Sequence, residues 1–207
     1  MDYRNRLKGA VTQALKKSLL IDAGYHVVPL GIEDVIREVN LLDKKNYLGW
    51  NLPAPLRKMP DFFVVDKDYK RHYLVEVKYR RVWDEAAFKR LYQGLLEQVR
   101  CWGNIFLLAV SCDSNNPSAA ETPAQFIRCA VLSNEIETNG DMLHIEGKDP
   151  ATDGTISMYL DERYFPEWNY LYRAQEVFGE ISRQGNEQTL EKTKEILKGL
   201  RNLDVFD

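Results

Sequence analysis

The sequence predicts an α/β fold, a small mixed β-sheet sandwiched by helices. Three observations carry this. Residues 4–23 and 83–102 repeat their core-type positions at three- and four-residue spacing, the helical period. Residues 62–65, 71–79, 105–110 and 126–132 have the length and apolar content of strands. These elements do not follow the regular βαβ succession of a dinucleotide-binding domain, and the glycines form neither GxGxxG nor a phosphate loop. An irregular order of helices and strands places helices against a mixed sheet.

Taken in order, the first helix spans 4–23, with Leu7, Val11, Ala14, Ser18 and Ile21 as its inner face and Gly24 as a left-handed cap. Tyr25 to Leu30 is a short strand whose Pro29 suits a sheet edge. Ile32 to Val39 is a short helix burying Ile32, Val35, Ile36 and Val39, and residues 41–58 form a long irregular loop. Phe62–Val65 and Arg71–Tyr79 make a hairpin about Asp66–Asp68. Residues 83–102 bury Phe88, Leu91, Leu95, Val99 and Trp102, and Gly103 stops that helix. Ile105 to Val110 is apolar throughout, as a strand covered on both faces must be.

Beyond a polar loop at 111–124, Phe126 to Leu132 is a strand. Residues 134–157 are turn-rich with a short strand at 142–145. A helix begins near Pro166, with the proline in its first turn. After a linker at 182–186, residues 189–200 form a charged helix with Leu190, Ile196, Leu197 and Leu200 on one side. The expected organisation is one domain over 1–182 and a helical extension over 183–207. No internal repeat is evident.

The chain has 207 residues, 44% of them hydrophobic, enough for a sizeable core. Its net charge of -3 excludes a generic polyanion binder but not a local basic face. Cys101, Cys112 and Cys129 include no CxxC pair, against a disulfide scaffold or a zinc–thiolate site. The N-terminal residues lack a signal-peptide apolar run, and Ile105–Val110 is too short to span a bilayer. No membrane association is expected, and the expected compartment is a reducing cytoplasm.

The chemistry concentrates on the hairpin. Asp61 follows Pro60 at the start of one strand, and Glu76 lies inside its partner among Leu74, Val75 and Val77. Glu76 and Lys78 share a face, since strand side chains alternate. An acid in so apolar a strand needs a partner or a metal. Two carboxylates and a backbone carbonyl suit a hard divalent cation, which polarises phosphodiesters and acidifies bound water. Lys78 is placed to orient that water, to stabilise negative charge or to deprotonate the nucleophile. From these residues alone, a Glu76–Lys78 or Asp61–Lys78 ion pair of purely structural role is the plainer account of the pattern.

The segments MPDFFVV and YLVEVKYR resemble the core of the PD-(D/E)XK nucleases, over roughly residues 4–132. The resemblance implies a restriction-endonuclease-like αβββαβ core with a helical C-terminal extension. It also implies Mg²⁺ or Mn²⁺ held by Asp61, Glu76 and the Val77 carbonyl, and hydrolysis of DNA phosphodiesters, with endonuclease action expected. Asp61, Glu76 and Lys78 take the motif positions. Many members, similar to the archaeal Holliday junction resolvases, carry a Glu on the first helix. Here Gln13 stands at that place, and residues 3–21 hold no Asp or Glu. Glu33 is the first candidate for a migrated acid and Asp34 the second; plain first-turn helix charge explains both as well.

Gln98-Val-Arg-Cys-Trp102 is similar to the QxxxY motif of the RecB-like branch, with Trp for Tyr. It implies that Gln98 bonds metal water or a substrate phosphate, against the plainer reading of a surface glutamine; Trp102 is expected in the core. Arg57, Lys58, Lys78, Arg80, Arg81, Lys89 and Arg90 are candidate phosphate contacts, giving affinity rather than sequence specificity. Arg4, Arg6, Lys8, Lys16 and Lys17 add a basic face to the first helix, or a solvated one. Tyr79 and Trp83 are candidates to stack on a base or to cover the sheet edge. Two other functions stay open: a noncatalytic nucleic-acid-binding or assembly protein with a degenerate nuclease fold, and a nuclease subunit that depends on a partner. The last helix is the expected contact for a homodimer or another protein, or else docks on its own domain.

Overall fold

The computed structural model describes residues 3–80, 82–111, 126–137, 140–160, 164–182 and 187–202. Helix α1 (Tyr3–Asp22) leads into strand β1 (His26–Pro29). Three short helices follow: α2 (Ile32–Val35), α3 (Lys44–Gly49) and α4 (Ala54–Arg57). Strands β2 (Phe62–Val65) and β3 (His72–Arg80) form the hairpin, and α5 (Glu85–Trp102) connects β3 to β4 (Ile105–Ser111). The rest comprises β5 (Ile127–Glu137), β6 (Gly140–Lys148), β7 (Thr155–Leu160), β8 (Tyr172–Arg173), α6 (Ala174–Val177) and α7 (Glu187–Asn202).

Among the described residues the sheet has eight strands, β1 to β7 side by side in sequence order and β8 against β5. Only β3 and β4 pair in parallel; the other neighbours are antiparallel. The protein is thus mixed α/β, with a mostly antiparallel sheet flanked by helices. The one parallel pair needs a crossover, and α5 supplies it. Asp84 caps α5, its carboxylate accepting from the Ala87 N–H at 2.7 Å, and Gly103 at φ 75° ends it.

Strand alternation divides β4 between two cores. Leu108 and Val110 join Val75, Val77, Leu19 and Leu20 on the α1 side. Ile105, Leu107 and Ala109 join Phe88, Leu91 and Leu95 on the α5 side. Glu76 and Lys78, alternating with Val75 and Val77, therefore face α5. No described helix is long and apolar enough to cross a membrane.

Several expectations are corrected. The buried side of α1 is Thr12, Lys16, Leu19 and Leu20, while Leu7 and Ile21 are exposed. Lys16 is fully buried, so it cannot belong to a basic surface. The helix expected over 32–39 breaks after α2 into a 3₁₀ turn at Arg37–Leu41, and Val35 is exposed. The expected loop at 41–58 contains α3 and α4; Asp43 caps α3 through the Asn46 N–H, and Pro53 and Pro55 bracket the start of α4. Residues 134–157 hold the end of β5, all of β6 and the first half of β7, so the sheet is not small. No helix starts at Pro166: its carbonyl accepts the Trp83 indole N–H at 2.8 Å, and Trp168–Tyr170 is a 3₁₀ turn. Most of the 111–124 loop and the 183–186 linker lie outside the described residues.

Gly147 on β6 marks a close approach, since an added Cβ would stand 2.0 Å from the Tyr170 carbonyl oxygen. G147A is expected to cost at least about 1–3 kcal/mol by overpacking, measured by urea denaturation.

Helix α7 packs on α1. Leu197 is fully buried in the same core as Leu19 and Leu20, and the Thr189 hydroxyl bonds the Asp22 carboxylate. Leu197 is thus used within the chain, whereas Ile196, expected on the same apolar side, is exposed, and the side chains of Leu190 and Leu200 lie outside the described residues. L197A is expected to lower stability by about 2–5 kcal/mol, and light scattering of the wild type should give the mass of a single chain.

Candidate functional site

The hairpin and two helices build the site. β2 and β3 pair through Phe62↔Val75, and beyond that pair Asp61 leaves the ladder. Its carboxylate replaces a main-chain acceptor, taking the Val77 N–H at 2.6 Å. Its carbonyl accepts from the Leu30 N–H at 2.9 Å and the Gly31 N–H at 3.4 Å, tying down the start of α2. The other carboxylate oxygen accepts from the Gln13 amide on α1 at 2.7 Å.

Glu76 is 4% exposed and faces the opposite helix. One of its oxygens meets the Lys78 ammonium, and the other accepts from Gln98 Nε2 at 2.7 Å. Gln98 is 5% exposed, which rules out the surface-glutamine reading. A buried amide on the apolar face of α5 finds its partner in the buried acid of β3, as both require. Gln98 also donates to the Met59 carbonyl at 3.4 Å. Trp102 is half-buried and donates to the Pro55 carbonyl at 3.2 Å, holding α4 against α5.

The electrostatics follow from this crowding. Burial, then the Glu76 charge, raises the Asp61 pKa to about 7, against the opposing pull of Lys78 and the Val77 N–H. Burial disfavours the Lys78 ammonium, but the Glu76 and Asp61 charges outweigh it and hold the Lys78 pKa above its ordinary value. Lys78 therefore remains a cation.

Glu76, Lys78 and Gln98 line a cavity of about 400 Å³ between α4, β3 and α5, with Arg57, Lys58, Arg80 and Arg90 around them. Four of the six cations beside the motif thus gather at one place. Lys89 lies outside that lining and is paired with Glu85 at 2.7 Å. Arg81 and the side chains of Arg4, Arg6 and Lys8 lie outside the described residues. Lys58 is matched to Glu97 at 2.6 Å.

Glu33 is exposed and, like Asp61, is absent from the cavity lining; its charge helps to raise the Asp61 pKa, after burial and the Glu76 charge. Asp34 is exposed as well. Among the described residues, no group of three or more Asp, Glu, His or Cys side chains converges as a metal site. The candidate metal donors that the hairpin itself carries are the Asp61 and Glu76 carboxylates with the Val77 carbonyl, a hard oxygen set of the type Mg²⁺ prefers.

Base stacking is corrected for both aromatics. Trp83 is buried against Phe88 and Trp168, and Tyr79 packs on the α1-side core. Gln13 is the residue whose bonding partner the sequence left undetermined. The absent acid drew attention to its position, but nothing in the sequence named Asp61 as its partner. Comparison with family models, curated proteins and solved structures finds no match.

Proposed function

We propose that the protein is a divalent-metal-dependent deoxyribonuclease of the PD-(D/E)XK type, acting as an endonuclease. The observation that carries this is the cavity itself: an ExK strand presents Glu76 and Lys78 beside a buried Gln98, with cations from three elements around them. With the short helices α2 to α4 set aside as an insertion between β1 and β2, the order α1-β1-β2-β3-α5-β4 supports the reading, because it matches the αβββαβ order that the motif implies. Asp61, Glu76 and the Val77 carbonyl would hold Mg²⁺ or Mn²⁺, which would polarise the phosphodiester and acidify water.

The chain's own residues do the positioning. Gln98 fixes the rotamer of Glu76, and Gln13 and the Val77 N–H fix that of Asp61. Lys78, held charged in the metal-free protein by its two acidic neighbours, is placed to stabilise developing negative charge. The cations at the wall draw the phosphate chain in without reading its bases.

One observation favours a second reading. Gln13 reaches Asp61 from the helix where the family places an acid, and it supplies a neutral amide instead. A protein that binds nucleic acid without cutting it, or that cuts only with a partner, would tolerate that change. The deciding experiment incubates the purified protein with single-stranded, duplex and branched DNA in Mg²⁺, Mn²⁺ or EDTA. Cleavage in either metal, stopped by EDTA and lost in E76Q, is expected. DNA binding with no cleavage on any substrate would establish the second reading.

A further inference from the structure

We propose that Trp50, with Leu48 from the same short helix, contacts base faces of the DNA next to the cavity, at a step where stacking is interrupted. This rests on the nuclease reading and specifies how its substrate is recognised. The cavity itself offers a base little to meet: its lining has no aromatic ring, only Met59, Leu91 and Leu95 as apolar surface. Tyr79 and Trp83 are packed against the two cores. Of the four tryptophans, Trp83 and Trp168 are buried, and Trp102 is half-buried and bonded to Pro55. Trp50 is 43% exposed, and Leu48 is 55% exposed.

The local fold fixes Trp50 where it is. Asp43 caps the start of α3, and Trp50 closes its end, donating its N–H to the Asn46 carbonyl at 3.2 Å and the Tyr47 carbonyl at 3.3 Å. Asn51 follows at φ 45°, a left-handed conformation that asparagine tolerates, and donates to the Leu48 carbonyl at 3.2 Å. An indole turns about two torsions only, so little entropy is lost when it is pinned. Asn51 to Pro53 join Trp50 to α4, whose Arg57 lines the cavity and whose Pro55 carbonyl is held by Trp102. An extended chain covers at most about 3.6 Å per residue, so Trp50 lies within roughly 15 Å of Ala54, on the order of four base steps.

Charge selects the occupant of this exposed apolar surface. Residues 44–58 contain Lys44, Lys45, Arg57 and Lys58 and no Asp or Glu, in a chain of net charge -3. Lys45 is exposed, and Lys58 is matched to Glu97. A polyanion complements such a segment, whereas a second copy would bring the same cations and be repelled. On DNA the phosphates meet the cations and the base faces meet the ring.

The test is fluorescence anisotropy of the full chain in Ca²⁺, which occupies oxygen sites with a looser geometry than Mg²⁺. The probes are a labelled continuous duplex and the same duplex with a one-nucleotide gap, which bares base faces. W50A is expected to weaken binding of the gapped probe by about 5- to 150-fold, the equivalent of one lost stacking contact, and binding of the continuous duplex much less. W50F should restore most of the loss, because any ring can stack. The dependence of log K on log salt should be the same for wild type and W50A, since no phosphate contact is lost. DNA should quench the intrinsic fluorescence of the wild type more than that of W50F. Y159A, at an equally exposed ring on the far edge strand β7, should bind as the wild type does. Folded W50A and W50F that bind the gapped probe like the wild type would overturn the proposal and leave the nuclease standing. A loss in W50A that comes with a flattened salt dependence would make Trp50 a support for phosphate contacts and defeat the base contact. A wild-type dimer in light scattering that W50A dissolves would assign the surface to a second copy, which also defeats it. Trp50-dependent binding of the gapped probe, with no cleavage in Mn²⁺, retains the base contact and defeats the nuclease.

Discussion

E76Q is expected to abolish measurable DNA cleavage, and K78A to reduce it by on the order of 10²–10³, with both proteins folded. The second figure is the usual loss for one well-placed electrostatic donor. The two substitutions act differently. E76Q removes an anionic oxygen donor, and Gln98 then faces another amide where it bonded a carboxylate. K78A leaves both carboxylates but removes the cation that holds down the proton affinity of Asp61. Calorimetry with Mn²⁺ should therefore show strong loss of binding for E76Q. For K78A binding should survive, but with its pH midpoint moved upward. Single-turnover cleavage across pH 6–9 measures the rate effect. Wild-type cleavage by E76Q would place the chemistry elsewhere.

D61N is expected to stabilise the metal-free protein at pH 8. The sign follows from the Asp61 pKa, raised from its ordinary 3.8 to about 7 by burial and by Glu76. Between those values the native state holds a proton that the unfolded chain has released. Stability therefore falls as pH rises through that window and stays low above it. A tenfold change in proton affinity is worth about 1.4 kcal/mol, which makes the penalty on the order of 2–4 kcal/mol above pH 7. Asparagine keeps the Val77 N–H as a donor to its oxygen, and the Gln13 amide can turn its oxygen toward the new NH₂. Denaturation in EDTA should find D61N more stable than wild type at pH 8 and nearly equal at pH 4. Added Mn²⁺ should reverse the order, because it stabilises only a protein that binds it. Equal stability at pH 8 would mean that the ionised Asp61 carries no penalty. Such a penalty, carried where function needs charge, is a common trade of stability for activity.

The sequence displayed the hairpin and α5 because their periods are clean: Val75 and Val77 alternate with Glu76, and Leu91, Leu95 and Val99 return every turn. Pro29 correctly marked an edge strand. The inner face of α1 is hidden in the sequence because a buried Lys16 and Thr12 lie on it, and polar residues disguise a core stripe. β6 and β7 were largely missed since His144, Glu146, Ser157 and Tyr159 share one half-covered face and dilute the apolar signal. The carriers of charge were visible as residue types, but not their grouping. That Arg57, Lys58, Arg80 and Arg90 gather at one cavity while Lys89 turns away depends on how α4 and α5 dock. The burial of Gln98 is legible as well: an amide among Leu91, Leu95 and Val99 is a polar group that must be matched inside.

Docking of α7 on α1 also sets an order of events during synthesis. β1 through β4 can pair as soon as they leave the ribosome, because each lies beside its neighbour in sequence. Helix α1 cannot be finished in that way, since the core around Leu19 and Leu20 is closed by Leu197. Until that residue emerges, the nascent chain shows an uncovered apolar surface on the helix that carries Gln13, an opening for chaperones. The Asp61 side of the cleft therefore gains its final support only after β1 through β4 have been made.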